Sequence, residues 1–137
     1  MELKNSDALS AFAVLVELVD REEIPFKPSY WIGRAVAQIE PEIRKFEDDR
    51  IKLIKKHSEL DEDGNPISEN DHYKIADKEG FAEEYQWLLD RTFEIKYEPI
   101  SINNFGNVTI APRKVMALGR LIKENDGEST EGSSEEG

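Results

Sequence analysis

The chain has 137 residues, 38% hydrophobic and 35% charged, with a formal net charge of −12 and no cysteine. Its length suits one domain that buries roughly two-thirds of its unfolded surface, and the missing thiols exclude disulfides, thiolate catalysis and cysteine metal sites. The acid excess speaks against direct nucleic-acid binding, because phosphate contacts need a basic footprint. The longest strictly apolar run, Ala11 to Val16, is too short to span a bilayer. No basic region precedes an apolar stretch at the N-terminus, so a cytoplasmic, soluble protein is expected.

The first helix is predicted from about Ser6 to Asp20, capped by Asn5 or Ser6, with Asp7 at the positive end of its dipole. Its centre is apolar on every side, the mark of a helix covered on two faces. It is therefore either the central element of the fold or part of a subunit interface. Arg21 to Pro28 reads as an extended connector, with Pro25 and Pro28 on either side of Phe26.

The dominant signal is a long amphipathic helix from Ser29 to Leu60. Ile32, Val36, Ile39, Ile43, Phe46, Arg50, Leu53, His57 and Leu60 recur at alternating steps of four and three. That seam is the pattern of a helix lying lengthwise against a partner. Pro41 falls inside it and removes a backbone donor. The seam keeps its phase across the proline, which favours a kinked continuation over a new helix.

Beyond Leu60, Asp61-Glu62-Asp63-Gly64-Asn65-Pro66 is turn-forming, and His72 to Ile75 suits a short strand. Asp77 should cap a helix to about Arg91, whose Phe81, Tyr85 and Leu88 stripe returns antiparallel onto the seam. Phe93, Ile95 and Tyr97 alternate with charged residues, and Val108 and Ile110 suit a returning strand, together a small β-hairpin. Pro112 opens a last helix ending near Lys123, with Val115, Leu118, Leu121 and Ile122 as its apolar face. Residues 124–137 hold six acids and no base, leaving 24 acids and 18 bases in the body. A Gly/Ser/Glu segment of that kind is expected to be a disordered acidic tail. The expected architecture is mainly helical α+β: one folded domain over 1–123, with the long kinked helix packed antiparallel on a shorter one, a buried N-terminal helix, a hairpin and a C-terminal helix.

Ile24-Pro25-Phe26-Lys27-Pro28-Ser29-Tyr30-Trp31-Ile32-Gly33-Arg34, followed by Ile39-Glu40-Pro41-Glu42-Ile43-Arg44-Lys45-Phe46, resembles a family of small tailed-phage and prophage proteins of unknown function. The order of elements is similar too, from the short apolar helix to an ending like Ile110-Ala111-Pro112, over roughly residues 6–123. The motifs are structural. The resemblance implies a phage or prophage origin, hence a host-cytoplasmic setting, and assigns no catalytic residue.

No catalytic or metal constellation stands out. Asp61, Asp63, Asn65 and Asp71 invite comparison with a calcium loop, but Pro66 occupies the required glycine position and His72 the required glutamate. The solvated-turn reading is preferred. His57 and His72 have no ligand spacing and read as surface histidines; Ser58 and Ser68 lie in no nucleophile elbow. The bases Arg44, Lys45, Lys52, Lys55 and Lys56 are interleaved with acids, as on a solvated helix face. No enzyme activity and no cofactor are expected.

Two groups of residues are singled out instead. Tyr30, Trp31, Trp87 and Phe12 are candidate interface residues, since large aromatics anchor protein contacts; for Trp31 and Trp87, cover for the first helix is the favoured reading. Arg50 falls in the middle of the apolar stripe, where it either snorkels outward or pairs with Glu83 or Glu84 of the facing helix as a register-setting pair. Snorkelling is favoured. The leading expectation is a phage-encoded, non-enzymatic binding or adaptor protein with a host or phage protein partner, self-associating, without membrane contact. An acidic nucleic-acid mimic that inhibits a host protein, and a virion or assembly component, are the alternatives.

Overall fold

The structure, a computed structural model, describes residues 1–124, so all but the first residue of the expected acidic tail lies outside the described residues. Its architecture is α+β. A short strand β1 (Glu2–Lys4) runs straight into α1 (Asn5–Val19), and a brief turn leads to the 32-residue α2 (Phe26–His57). A hairpin of β2 (Ser68–Glu69) and β3 (His72–Tyr73) precedes α3 (Lys78–Leu89) and β4 (Thr92–Glu94). Then come β5 (Ile100–Ser101), a 3-10 turn over Ile102–Phe105, α4 (Pro112–Leu118), a second 3-10 turn and β6 (Ile122–Lys123).

α1 packs against α2 on one side and α4 on the other, burying Ala8, Ala11, Val14, Leu15 and Leu18. The chain's own helices thus cover two faces of the apolar segment, as its composition requires. Leu15, Ile32, Ile39, Leu118 and Leu121 are fully buried, and with Ile95, Tyr97, Ile100 and Phe105 they make one continuous core.

α2 starts three residues before the expected Ser29 and stops three short of Leu60. Proline is tolerated in a first helical turn, where its missing N–H has no intrahelical acceptor, so Pro28 belongs to the helix and Pro25 precedes it. At the other end the Ser58 hydroxyl donates to the Ile54 carbonyl, and Leu60 pairs with Pro66 across the acidic turn. Pro41 sits inside the continuous helix. α3 begins as predicted: the Asp77 carboxylate accepts from the Gly80 N–H at 2.9 Å.

The strands differ most from expectation. Residues 93–110 form no hairpin. β4 pairs antiparallel with β1, Phe93 opposite Leu3, and β5 pairs in parallel with β6, Ile100 opposite Ile122. Val108 and Ile110 instead lean on the core outside any strand. The hairpin of the fold is β2–β3, whose two-residue turn places Asn70 and Asp71 at φ 50° and 66°. Positive φ at both turn positions matches the twist of the flanking strands, and Asn and Asp tolerate it better than most residues. The last helix ends early, at Gly119, whose positive φ of 50° glycine accepts readily.

Pro41 is exposed on α2, and its ring leaves the Ala37 carbonyl without a helical donor. Pro41→Ala should therefore raise stability by about 1–3 kcal/mol, the helix-propensity gain less the entropy that proline removes from the unfolded chain. Urea unfolding measures it, and an unchanged or lower midpoint would mean that the ring supports the α2 packing.

Candidate interaction surfaces

Starting α2 at Phe26 places Phe26 and Tyr30 one turn apart on its outer side. They are 80% and 45% exposed. Their ring centroids are 6.2 Å apart, Tyr30 meets Trp31 edge-on at 5.2 Å, and Trp31 meets Tyr97 edge-on at 6.2 Å. The row ends in the core, where the Tyr97 hydroxyl donates to the Leu121 carbonyl at 2.8 Å and burial pushes its phenol above the ordinary tyrosine range. The Arg34 guanidinium lies 5.6 Å from the Tyr30 ring centre, within cation–π range. The outcome is a ladder of four rings running from solvent to interior.

A second surface lies roughly 30 Å further along α2, by helix rise. There α2 and α3 leave a groove of about 640 Å³ lined by Asp49, Lys52, Leu53, Glu83, Glu84 and Trp87. Trp87 is 62% exposed and stands between this groove and a smaller hollow that includes Phe46 and Arg91. The Arg91 guanidinium covers one face of the indole at 4.5 Å.

Of the four expected interface aromatics, Tyr30 and Trp31 meet in this ladder, and Trp87 and Phe12 lie apart from it. Tyr30 and Trp87 are open to solvent on different parts of the molecule; Trp31 and Phe12 are half-buried against the core. Phe26, the most exposed of the aromatics, was not among the four, because between two prolines it reads as connector. Its spacing to Tyr30, i and i+4 across a proline permitted in a first turn, was the available signal.

Arg50 does not pair with Glu83 or Glu84. Its guanidinium binds Glu47, one turn back on its own helix, at 2.9 Å, with the side chain 37% exposed. Glu84 is taken by Lys56 at 2.9 Å and by Nε2 of His57 at 2.6 Å, while Glu83 lines the groove. Besides Lys56, the buried residue that links α2 to α3 through a side-chain contact is His57. It is 8% exposed rather than a surface histidine, its Nδ1 lies 3.4 Å from Asp77, and its carbonyl accepts from the backbone of Ala76 and Asp77. One side chain meets both the acid that caps α3 and an acid about two turns into it. With carboxylates at both ring nitrogens, His57 is a structural clamp.

The acidic turn is likewise internally satisfied. Asp61 accepts from the backbone N–H groups of Asp63 and Asn65, both at 2.9 Å, and Gly64 takes φ 80°. Among the described residues no group of three or more His, Cys, Asp or Glu could hold a metal ion, and no helix is long and apolar enough to cross a membrane. No protein-family model, no curated protein and no solved structure matches the chain.

Glu84 has its carboxyl held below the ordinary glutamate range, first by the hydrogen bond from Lys56 and then by that from His57. A folded value below the unfolded one means that its stabilising contribution is present above the unfolded pKa and is lost as pH falls through the folded one. Glu84→Gln should flatten the acid side of the stability–pH curve, read as thermal midpoints from about pH 7 to about pH 3. If wild type and variant lose stability in parallel on acidification, the Lys56–Glu84–His57 contact contributes nothing to folding.

Proposed function

We propose that this chain is a phage- or prophage-encoded binding or adaptor protein, non-enzymatic, that works in the host cytoplasm through contacts with a host or phage protein. The observation that carries the proposal is the ring ladder at the start of α2. Scattered exposed apolar residues are ordinary. Here, though, Phe26 and Tyr30 are braced on Trp31 and a buried tyrosine, with Arg34 on one ring. Rigid aromatics beside an arginine are the composition of interface hot spots, since little side-chain entropy is lost on docking. The phage origin rests on the residues 24–46 that resemble the phage family.

The rival, an acidic nucleic-acid mimic, needs an unbroken array of acids. α2 supports it poorly: Glu40, Glu42, Glu47 and Asp49 lie within 3.2, 3.4, 2.9 and 3.9 Å of Arg44, Lys45, Arg50 and Lys52 on the same helix. A virion or assembly component remains compatible with a protein-binding face, and isolation of the chain from particles would favour it.

The experiment is affinity purification from cells carrying the replicating phage or prophage, using the wild-type chain, the double variant Phe26→Ser/Tyr30→Ser and Trp87→Ser. A discrete protein should be retained by the wild type and by Trp87→Ser and lost from the double variant. Retention of nothing, or of the same protein by all three, ends the proposal for this face.

Self-association belongs to the same proposal and rests on α1. With α2 and α4 on two sides, Ala13 and Val16 remain exposed on a third. A symmetric dimer would cover that strip with its copy. Sedimentation at micromolar concentration should give a dimer or larger, and Val16→Glu should return it to monomer; a wild-type monomer refutes it.

A further inference from the structure

We infer that the groove between α2 and α3 is a docking site for a partner's peptide segment that carries an arginine or lysine beside a large apolar side chain. Leu53 of α2 and Leu88 and Trp87 of α3 supply its apolar lining. Four charged side chains, Asp49, Lys52, Glu83 and Glu84, line it as well. Three of them are already engaged. Lys52 lies 3.9 Å from Asp49, and Glu84 holds Lys56 at 2.9 Å and the His57 ring at 2.6 Å. Glu83 differs: it is exposed, and no hydrogen bond or ion pair reaches it among the described residues. The charge left over in the groove is therefore one carboxylate, and its complement is a cation.

Trp87 points to the same ligand. Arg91 covers its indole at 4.5 Å, no second ring or cation stacks on it among the described residues, and the residue stays 62% exposed. An indole attracts a cation to its face and an aliphatic stem across its edge. Glu83 and Trp87 stand four residues apart on α3, neighbours on one helix face about 6 Å apart. One arginine or lysine spans that distance, its head at Glu83 and its stem along the ring. A groove of about 640 Å³ holds more than one side chain, so an apolar neighbour is needed to cover Leu53 and Leu88. An acidic segment or a nucleic acid would set its charge against Asp49, Glu83 and Glu84. The groove is roughly 30 Å from the ring ladder, so this site stands whether or not the ladder binds a partner.

The probe is a synthetic peptide with one arginine between two leucines in a Gly/Ser frame, titrated into the full-length protein. NMR reads the Trp87 indole, with the Trp31 indole as internal reference. A saturable shift is expected at Trp87 and not at Trp31, with a Kd between about 1 µM and 1 mM, as suits so small a contact. Citrulline in place of the arginine keeps the shape and removes the charge, and should weaken binding about fivefold. Glu83→Gln should weaken it by a similar factor, without a further loss when the citrulline peptide is used. Because Glu83 has no partner to lose, this variant should keep the wild-type thermal midpoint. Serine in place of both leucines should abolish the shift, and Trp87→Ser should abolish binding read by the anisotropy of a labelled peptide. No saturable shift, or equal affinity for the citrulline peptide, overturns the inference. Argininamide that binds as tightly as the peptide overturns it in favour of a small-cation site. A Trp87 signal that moves with protein concentration alone overturns it in favour of a second copy.

Discussion

The fold depends on one apolar stripe changing partners midway. Ile32, Ala35 and Ile39 on the first half of α2 share a core with Ala8, Ala11, Leu15 and Leu18 of α1. Phe46 and His57 on the second half meet Tyr85 and Phe81 of α3, at ring separations of 6.0 and 6.2 Å. The exchange falls around Pro41, so a single 32-residue helix serves two packing units. Small side chains make the first half possible: Ala35 is completely buried and Ala8 and Ala11 nearly so, letting the backbones approach while little rotamer entropy is lost. α4 then closes over α1, and the N-terminus is pinned to the region after α3. Met1 and Ile95 exchange backbone hydrogen bonds at 2.8 and 2.9 Å, and the Asn5 side chain donates to the Leu88 carbonyl at 2.9 Å.

Sequence periodicity revealed α2, α3 and its Asp77 cap because these signals are local: a stripe at steps of three and four, and an acid just before a helix start. It also showed that α1 needed cover on two faces. It could not apportion that cover. α3 does return onto the seam, but its 12 residues reach only the second half, and α1 occupies the first. The short strands were illegible for a different reason. Two or three residues carry almost no intrinsic strand preference, and β1–β4 and β5–β6 join positions about 90 and 20 residues apart. What decides such pairings is where the helices leave the chain ends.

The residues of interest divide along the same line. Arg50 lay in the middle of the stripe by angle, yet a guanidinium can follow its stem outward, and Glu47 was within one helical turn. His57 lay in the same stripe and has no such reach. Its short side chain stays where the backbone puts it, under α3, where it lies against the carboxylates of Glu84 and Asp77. Side-chain length, which periodicity ignores, separated the two cases. Phe26 was lost to a rule applied too broadly, that prolines end helices; Pro28 is inside the first turn, where that rule reverses.

The charge along α2 follows the change of partner. Past Pro41, acids and bases alternate within one turn of each other, and pairs so exposed add at most about 1 kcal/mol each. Their main effect is to cancel the local field. Before Pro41 the helix faces solvent with Lys27, Arg34 and rings, and its first acid is Glu40. The half of α2 that supports α1 therefore carries two bases and rings with no acid before Glu40, while the half that supports α3 interleaves six bases with four acids. A long helix with a uniform outer face would need neither Phe26 nor the ladder behind it. Anchoring Tyr30 through Trp31 to Tyr97 joins that surface rigidly to the α1–α4 core, so whatever docks there meets a preformed face rather than one it must order.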